Sequence, residues 1–439
     1  MIARHLASVR LVHLAALVLF LFLLLGCSDN SPDHPPAYRE YAYVTDGKSN
    51  EVSVIDLLTF KNVKRIPVGQ SPTGIAANPK KNEIYVVNTE SNNLSIIDAE
   101  SNNVMATIGL HRSPYFVDLT PDSKRAYITN AGSANVSVVD LENRKVVGII
   151  SVGHSPGLVR VSPDGKIALA SNRSDGTVSV IDTAAMSVRS TVPVCQGPEE
   201  IVFLTDSSKA FISCSSANEI AVVQLRHELP APASSLTATP AATAQPASAK
   251  TKRKSDRKQP KSAPSKPTPN DESPDENSDR LLTLLDVGKS PVHLALKPDG
   301  GEIFVSNFGS DSVSEVLTGN NEVSSTHLLG PGPVRSIVST DNSLLFVSNF
   351  NGNSISIYSI DDGKLLQTVP VGDKPDALAF TPSQQYLLVV DSGSGDVSVI
   401  RYDEKAKPPM KPYILFTMVP VGLDPRQIVV KAFMLRKAE

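Results

Sequence analysis

Tryptophan is absent from this chain, and phenylalanine and tyrosine together make up only 5% of it. So thin a supply argues against a dense aromatic platform that stacks bases or sugars in rows. Charge of one sign is missing as well: the formal net charge is -3 over 439 residues, without the basic bias that marks a nucleic-acid partner. Only three cysteines occur, and none belongs to a Cys-x-x-Cys-His haem-attachment signature. No His or Cys pair stands at metal-ligand spacing, and there is no glycine-rich phosphate loop, so neither a metal site nor a covalently held cofactor is expected. Outside the first 25 residues no long apolar run exists, and no segment keeps a 3.6-residue hydrophobic period.

What the chain does have is repetition. Pro72, Pro114, Pro156 and Pro198 are each 42 residues apart; Pro291, Pro333 and Pro375 resume that spacing, and Pro425 completes the set. The interval from Pro198 to Pro291 is 93 residues, which is one repeat plus an insertion of about 51. Each unit holds four short segments rich in Val, Ile, Tyr and Phe, separated by Gly, Asn, Asp and Ser. In the unit opening at Pro114 they run over residues 115–119, 125–129, 136–140 and 145–152. Segments of that length and punctuation are β-strands, and the turns Pro121-Asp122-Ser123 and Pro163-Asp164-Gly165 fall between the first and second of them. A period near 40 residues with four strands per unit predicts an all-β propeller of four-stranded blades.

The second-strand pattern occurs eight times, but the chain starts on a second strand and ends on a first strand, Arg426 to Val430. If that last segment pairs beside Ala42–Thr45, the ring closes with one blade shared by the two termini and no open edge. Eight blades are therefore expected; a seven-bladed ring is the alternative, and requires one unit to be irregular. The propeller is expected over residues 40–432, with a short tail at 433–439.

Tyr85-Val86-Val87-Asn88, Tyr127-Ile128-Thr129-Asn130, Phe304-Val305-Ser306-Asn307 and Phe346-Val347-Ser348-Asn349 resemble the Tyr-Val-Thr-Asn motif of YVTN-family β-propellers. The third segments Val52–Asp56, Val136–Asp140 and Val178–Asp182 are similar to that family's next motif. Cys214 and Asp391 stand where the motif has asparagine, so the pattern drifts in two copies. Propellers of this kind resemble both lactonase-type enzymes and the eight-bladed domain that holds haem d1. The resemblance to the latter implies His154 or His293 as axial ligands.

The N-terminus reads as an address rather than as fold. Arg4, His5 and Arg10 precede an apolar stretch from Leu11 to Leu25 that only His13 interrupts, about 15 residues and short for a membrane span. Leu24-Leu25-Gly26-Cys27 then resembles a bacterial lipobox. That resemblance implies a lipoprotein signal peptide over 1–26, lipidation of Cys27, and a lipidated tether over 27–39. Ser28 rather than Asp after the cysteine favours the outer membrane, and export implies an oxidising compartment.

Residues 226–279 have little to bury. An Ala/Pro/Ser/Thr-rich stretch is followed by seven basic residues between Lys250 and Lys261, then by five acidic ones between Asp271 and Asp279. This polyampholyte is expected to be a disordered insertion between a third and a fourth strand. Such connections share a face with the first-to-second turns. The opposite face, ringed by the repeated prolines, is thus the expected binding face.

On that face the positions just after the prolines start the innermost strands. They place Glu199, Glu200, His293, Arg335, Asp376 and Arg426, with His154 in the adjoining loop, as candidate ligand-binding residues. Glu199 and Glu200, as strand neighbours, point to opposite sides and are not expected to share one acid–base site. Cys195 and Cys214 fall within plausible reach in one blade, as a disulfide or as two small buried residues. Short uniform loops favour a monomeric, non-catalytic binding or scaffolding module for a protein or polysaccharide partner, tethered to a membrane and without cofactor. A haem d1-type or lactonase-like propeller is the alternative.

Overall fold

The computed structural model describes residues 35–226, 278–403 and 412–435. The expected signal peptide, Cys27 and most of the tether lie outside the described residues, as do 227–277 of the insertion. Glu40–Ala432 forms one compact unit; a second consists, among described residues, of 35–39 with 433–435, where the Leu435 N–H donates to the Ala37 carbonyl.

The propeller has eight four-stranded antiparallel sheets. Seven are consecutive in the chain, and the eighth is built from Pro425–Met434, Tyr38–Asp46, Glu51–Asp56 and Lys61–Pro67. We number this closing sheet blade 1 and continue in chain order to blade 8, which ends on Tyr413–Pro420. The C-terminal strand is the innermost strand of blade 1, so closure follows from the one-strand offset of the two termini. The first strand begins at Tyr38, inside the expected tether, and the last continues to Met434, inside the expected tail. Among the described residues the helices are two 3-10 turns, Ala131–Ser133 and Phe308–Ser310.

Burial follows strand position. In blade 2 the second strand Glu83–Asn88 is buried at every residue, and the third strand Asn93–Asp98 at all but its ends. Both faces of these strands pack on neighbouring blades, which is why they read as unbroken apolar runs rather than as alternation. Tyr85, Leu94 and Ile96 of blade 2, for example, pack with Val117, Ile128 and Val139 of blade 3. The outermost strands alternate instead, as in Lys61–Pro67, because one face meets solvent.

The proline face is held together by a repeated set of hydrogen bonds. The residue before each proline takes a left-handed conformation, at Ser71, Ser113, Ser155 and Ser290 for example, with φ of 52°, 50°, 49° and 51°. Its carbonyl then accepts an N–H from a second-to-third loop, as in Thr89 to Ser71 and Phe308 to Ser290. The motif asparagine completes the set: Asn88 Nδ2 donates to Asn93 Oδ1 at 2.7 Å and to Ser95 Oγ at 2.9 Å. Asn172 also accepts the N–H of Gly153 at 3.0 Å, and a Cβ on Gly153 would stand 2.6 Å from the asparagine Cγ. This is the physical content of the repeated proline, preceded in Val152-Gly153-His154-Ser155-Pro156 by a glycine, and of the motif's terminal asparagine: the loop backbone presses directly on the amide.

The insertion interrupts blade 5 between the third strand Glu219–Gln224 and the fourth strand Arg280–Asp286. Its final residue is tied down. Asp279 accepts from Arg189, Ser190 and the Arg226 N–H at 2.6–2.9 Å, so the stretch expected as disordered is narrower at this end than 226–279.

Candidate functional site

Innermost strands run from the proline face into the channel, and residues two and four after each proline share one strand side. Seven of the eight residues that follow the prolines by two positions line a central cavity of about 320 Å³, namely Phe116, Leu158, Glu200, His293, Arg335, Ala377 and Gln427. The charged ones among them converge. Glu200, 2% exposed, accepts from Arg160 at 2.8 Å and from Arg335 at 3.1 Å, and lies 3.3 Å from His293 Nδ1. Burial alone would push this carboxyl up, but Arg160, then His293 and Arg335, overcome it and hold the group well below the usual carboxylate range. Arg335 reaches on to Asp376 at 3.5 Å.

Glu199 turns away from this cluster, as strand geometry requires, and pairs with Arg173 at 2.9 Å. Both outer guanidiniums lie over rings, Arg173 at 4.7 Å from the centroid of Tyr115 and Arg160 at 4.6 Å from that of Phe116. Below the cluster, Asp118 accepts the Val161 N–H at 2.8 Å; burial raises its pKa, with Arg160 opposing.

Two expected residues are not part of the channel cluster. His154 is 79% exposed on its loop and pairs with Asp175 at 3.0 Å. Arg426 pairs with Asp424, two residues away, at 2.9 Å. Three others were missed. Arg160 and Asp118 sit four residues after their prolines, where strand alternation already points. Arg173 belongs to a second-to-third loop and reaches Glu199 of the next blade, a contact that no local pattern signals.

The chain also contains Gly153-His154-Ser155-Pro156-Gly157, which spells Gly-x-Ser-x-Gly. It is an inter-blade loop rather than the strand-to-helix elbow that exposes a nucleophile. Ser155 holds the left-handed position of Ser71, Ser113 and Ser290, and has no hydrogen bond to His154 among the described residues.

The two histidines expected as axial ligands of haem d1 are not presented for that role. His293 Nε2 lies 3.0 Å from the Ser336 carbonyl, and Nδ1 lies 3.2 Å from Arg335 and 3.3 Å from Glu200, so both ring nitrogens are engaged. His154 is out on an exposed loop.

Cys195 and Cys214 form a disulfide, with Cα atoms 5.8 Å apart. Cys214 holds the position of the motif asparagine, and Cys195 that of the loop glycine, Gly69 in blade 2 or Gly153 in blade 4. A covalent bond thus replaces the glycine–asparagine contact, in the loop that leads into the strand bearing Glu199 and Glu200. Because the bridge spans 19 residues, Cys195→Ser is expected to cost about 3 kcal/mol. Urea unfolding of the oxidised protein and the variant measures this, and an unchanged midpoint would overturn it.

The family model described as "Lactonase, 7-bladed beta-propeller" matches residues 337–409, from the first strand of blade 7 to just beyond the third strand of blade 8. A search of curated proteins gives no significant match. Among solved structures, the chain is similar to the dihydro-haem d1 dehydrogenase NirN in complex with DHE, with TM-score 0.63, 12% identity, and coverage of 92% of this chain and 78% of that one. A protein from Lactobacillus plantarum gives TM-score 0.56 at 13% identity, covering 90% of this chain and 99% of the other. A putative 6-phosphogluconolactonase from Bacteroides uniformis gives TM-score 0.53 at 16% identity, covering 82% and 98%. At these identities the likeness is one of fold, and the fold they share with this chain is the β-propeller.

Proposed function

We propose that this chain is a YVTN-type β-propeller lipoprotein of the bacterial envelope, lipidated at Cys27 and held at the outer membrane. It acts as a monomeric, non-catalytic module that captures a protein partner on the proline face. One observation carries the reading: the channel's charges are matched to one another, with Glu200 held by Arg160, His293 and Arg335, and Glu199 by Arg173. A network in which each charge has a partner of opposite sign presents a patterned rim rather than a poised nucleophile. The rim pairs Arg173–Glu199, Arg335–Asp376 and Arg426–Asp424 offer both signs of charge to a polar protein surface.

The mature protein, immobilised and exposed to solubilised envelope, tests this. Proteins it retains should be lost with Arg173→Glu and with Asp376→Arg, and kept with Lys80→Glu on the opposite face. Identical retention by all three variants would sink the reading.

The match of residues 337–409 favours a second reading, lactone hydrolysis in the channel, with His293 and Glu200 as its acid–base groups. Acid release from a panel of sugar lactones that disappears with His293→Ala supports this reading over the first.

A further inference from the structure

In three blades a long side chain at the first residue of the second strand reaches across the cleft to the next blade. Arg125 of blade 3 donates to the Thr183 carbonyl at 2.8 Å, and Lys209 of blade 5 to the Thr318 carbonyl at 2.9 Å. In blade 2, Glu83 at this position meets Arg144 of blade 3 at 3.4 Å. Each bridge reaches the third-to-fourth turn of the following blade. In blade 7 the position is Leu344, and in blade 4 Ile167, neither with a polar atom to reach across; beside Leu344 the cleft to blade 8 holds a cavity of about 360 Å³.

The lining of this cleft is unusual for so aromatic-poor a chain. Phe346, Phe380, Tyr402 and Tyr413 all border it. Phe346 meets Phe380 and Tyr413 edge-on at 5.3 and 5.5 Å, which fixes the floor, while Tyr402 stands at the mouth, 44% exposed. Among the described residues, Asp341 is the one charged side chain in the lining. One Asp341 oxygen is taken by Ser339, Ser343 and its own turn; the other oxygen, the Gln385 amide and the Tyr402 phenol make no hydrogen bond among the described residues.

We infer that the cleft between blades 7 and 8 is a binding site for a neutral pyranose ring of a glycan. A pyranose has a face of C–H groups that carries slight positive charge and packs on the negative face of an aromatic ring. Its edge carries hydroxyls that both donate and accept, which matches a free carboxylate oxygen, a carboxamide and a phenol. The volume lies in the range of small-molecule pockets. The site is on the face opposite the prolines and stands independently of the partner proposed above.

The full mature chain, titrated calorimetrically with maltotetraose, cellotetraose and chitotetraose, tests the inference. At least one should bind in the millimolar range or tighter, and Tyr402→Ala should weaken it at least about tenfold. Because Tyr402 is exposed, this variant keeps the fold; Gln385→Ala, on the rim, should weaken the same sugar without altering thermal stability. Failure of all three sugars to bind, or binding indifferent to both variants, would overturn it.

Discussion

Replacing Glu200 by alanine is expected to lower the stability of the propeller by about 3–5 kcal/mol at neutral pH. Its carboxylate is 2% exposed and carries hydrogen bonds from two arginines that are themselves about two-thirds buried, at 32% and 31% exposure. Without it, Arg160 and Arg335 face each other and His293 across a cavity with no remaining central anion, and desolvated like charges are costly. Glu200→Gln tests the charge separately from the shape, since the amide fills the space and still accepts a hydrogen bond. The folded pKa lies below the unfolded one, so this contribution is complete above the ordinary glutamate range, near 4.3, and is lost as acid titrates through the depressed folded value. Chemical unfolding of the wild type and Glu200→Ala should therefore differ by a constant amount from pH 7 down to about 5, and converge only in stronger acid. A difference under about 1 kcal/mol at pH 7 would mean that channel water solvates the two arginines, and that the cluster is no more than a surface ion pair.

How much of this was legible in the sequence depended on whether the signal was periodic. The 42-residue spacing of the prolines and the offset of the termini define both the eight blades and their closure, because each repeat meets only its neighbours. The seven-bladed alternative fails because every counted unit forms a regular sheet. Channel residues two positions after the prolines were legible for the same reason. Arg160 and Asp118 follow from the same alternation, two residues further along their strands. His154 and Arg426 lie near the mouth in sequence, yet their side chains turn back to Asp175 and Asp424, since loop position does not set side-chain direction. Arg173 reaches Glu199 across a blade boundary, and nothing local encodes that. Departures from the repeat proved the most informative positions. Cys214 in the asparagine position signals a disulfide.

Two further departures lead to the other large effect. Asp391 and Asp46, the latter a third copy that departs from the motif beside Cys214 and Asp391, occupy the asparagine position in blades 8 and 1, which adjoin at the closure of the ring. Elsewhere the amide N–H groups donate to a side chain five residues on, as from Asn130 to Asn135. Asp391 faces Asp396 there, and Asp46 faces Glu51, so a carboxylate finds an acid where the repeat provides an acceptor. Both aspartates are fully buried. Burial pushes Asp46 up to about 7, with the Ser53 hydroxyl, 2.7 Å away, opposing and Glu51 adding to the rise. Burial and Asp396 push Asp391 well above the ordinary carboxylate range, against the opposing bond from Ser398. Here the folded state binds protons more tightly than the unfolded chain, so the sign is opposite to that of Glu200. Stability is greatest below pH 4 as far as these two groups are concerned, and falls as pH rises toward the folded values, by at most about 1.4 kcal/mol per pH unit for each. Asp391→Asn restores the donor without needing a proton and should raise stability at pH 8 by on the order of 1–3 kcal/mol, with little change at pH 4. Asp46→Asn should act the same way, with its gain levelling off above about pH 7. Unfolding free energies at pH 4, 6 and 8 decide the matter: a gain independent of pH would show that neither carboxyl holds a proton in the folded ring, and a loss at pH 8 would show that the ionised aspartate is the form the closure requires.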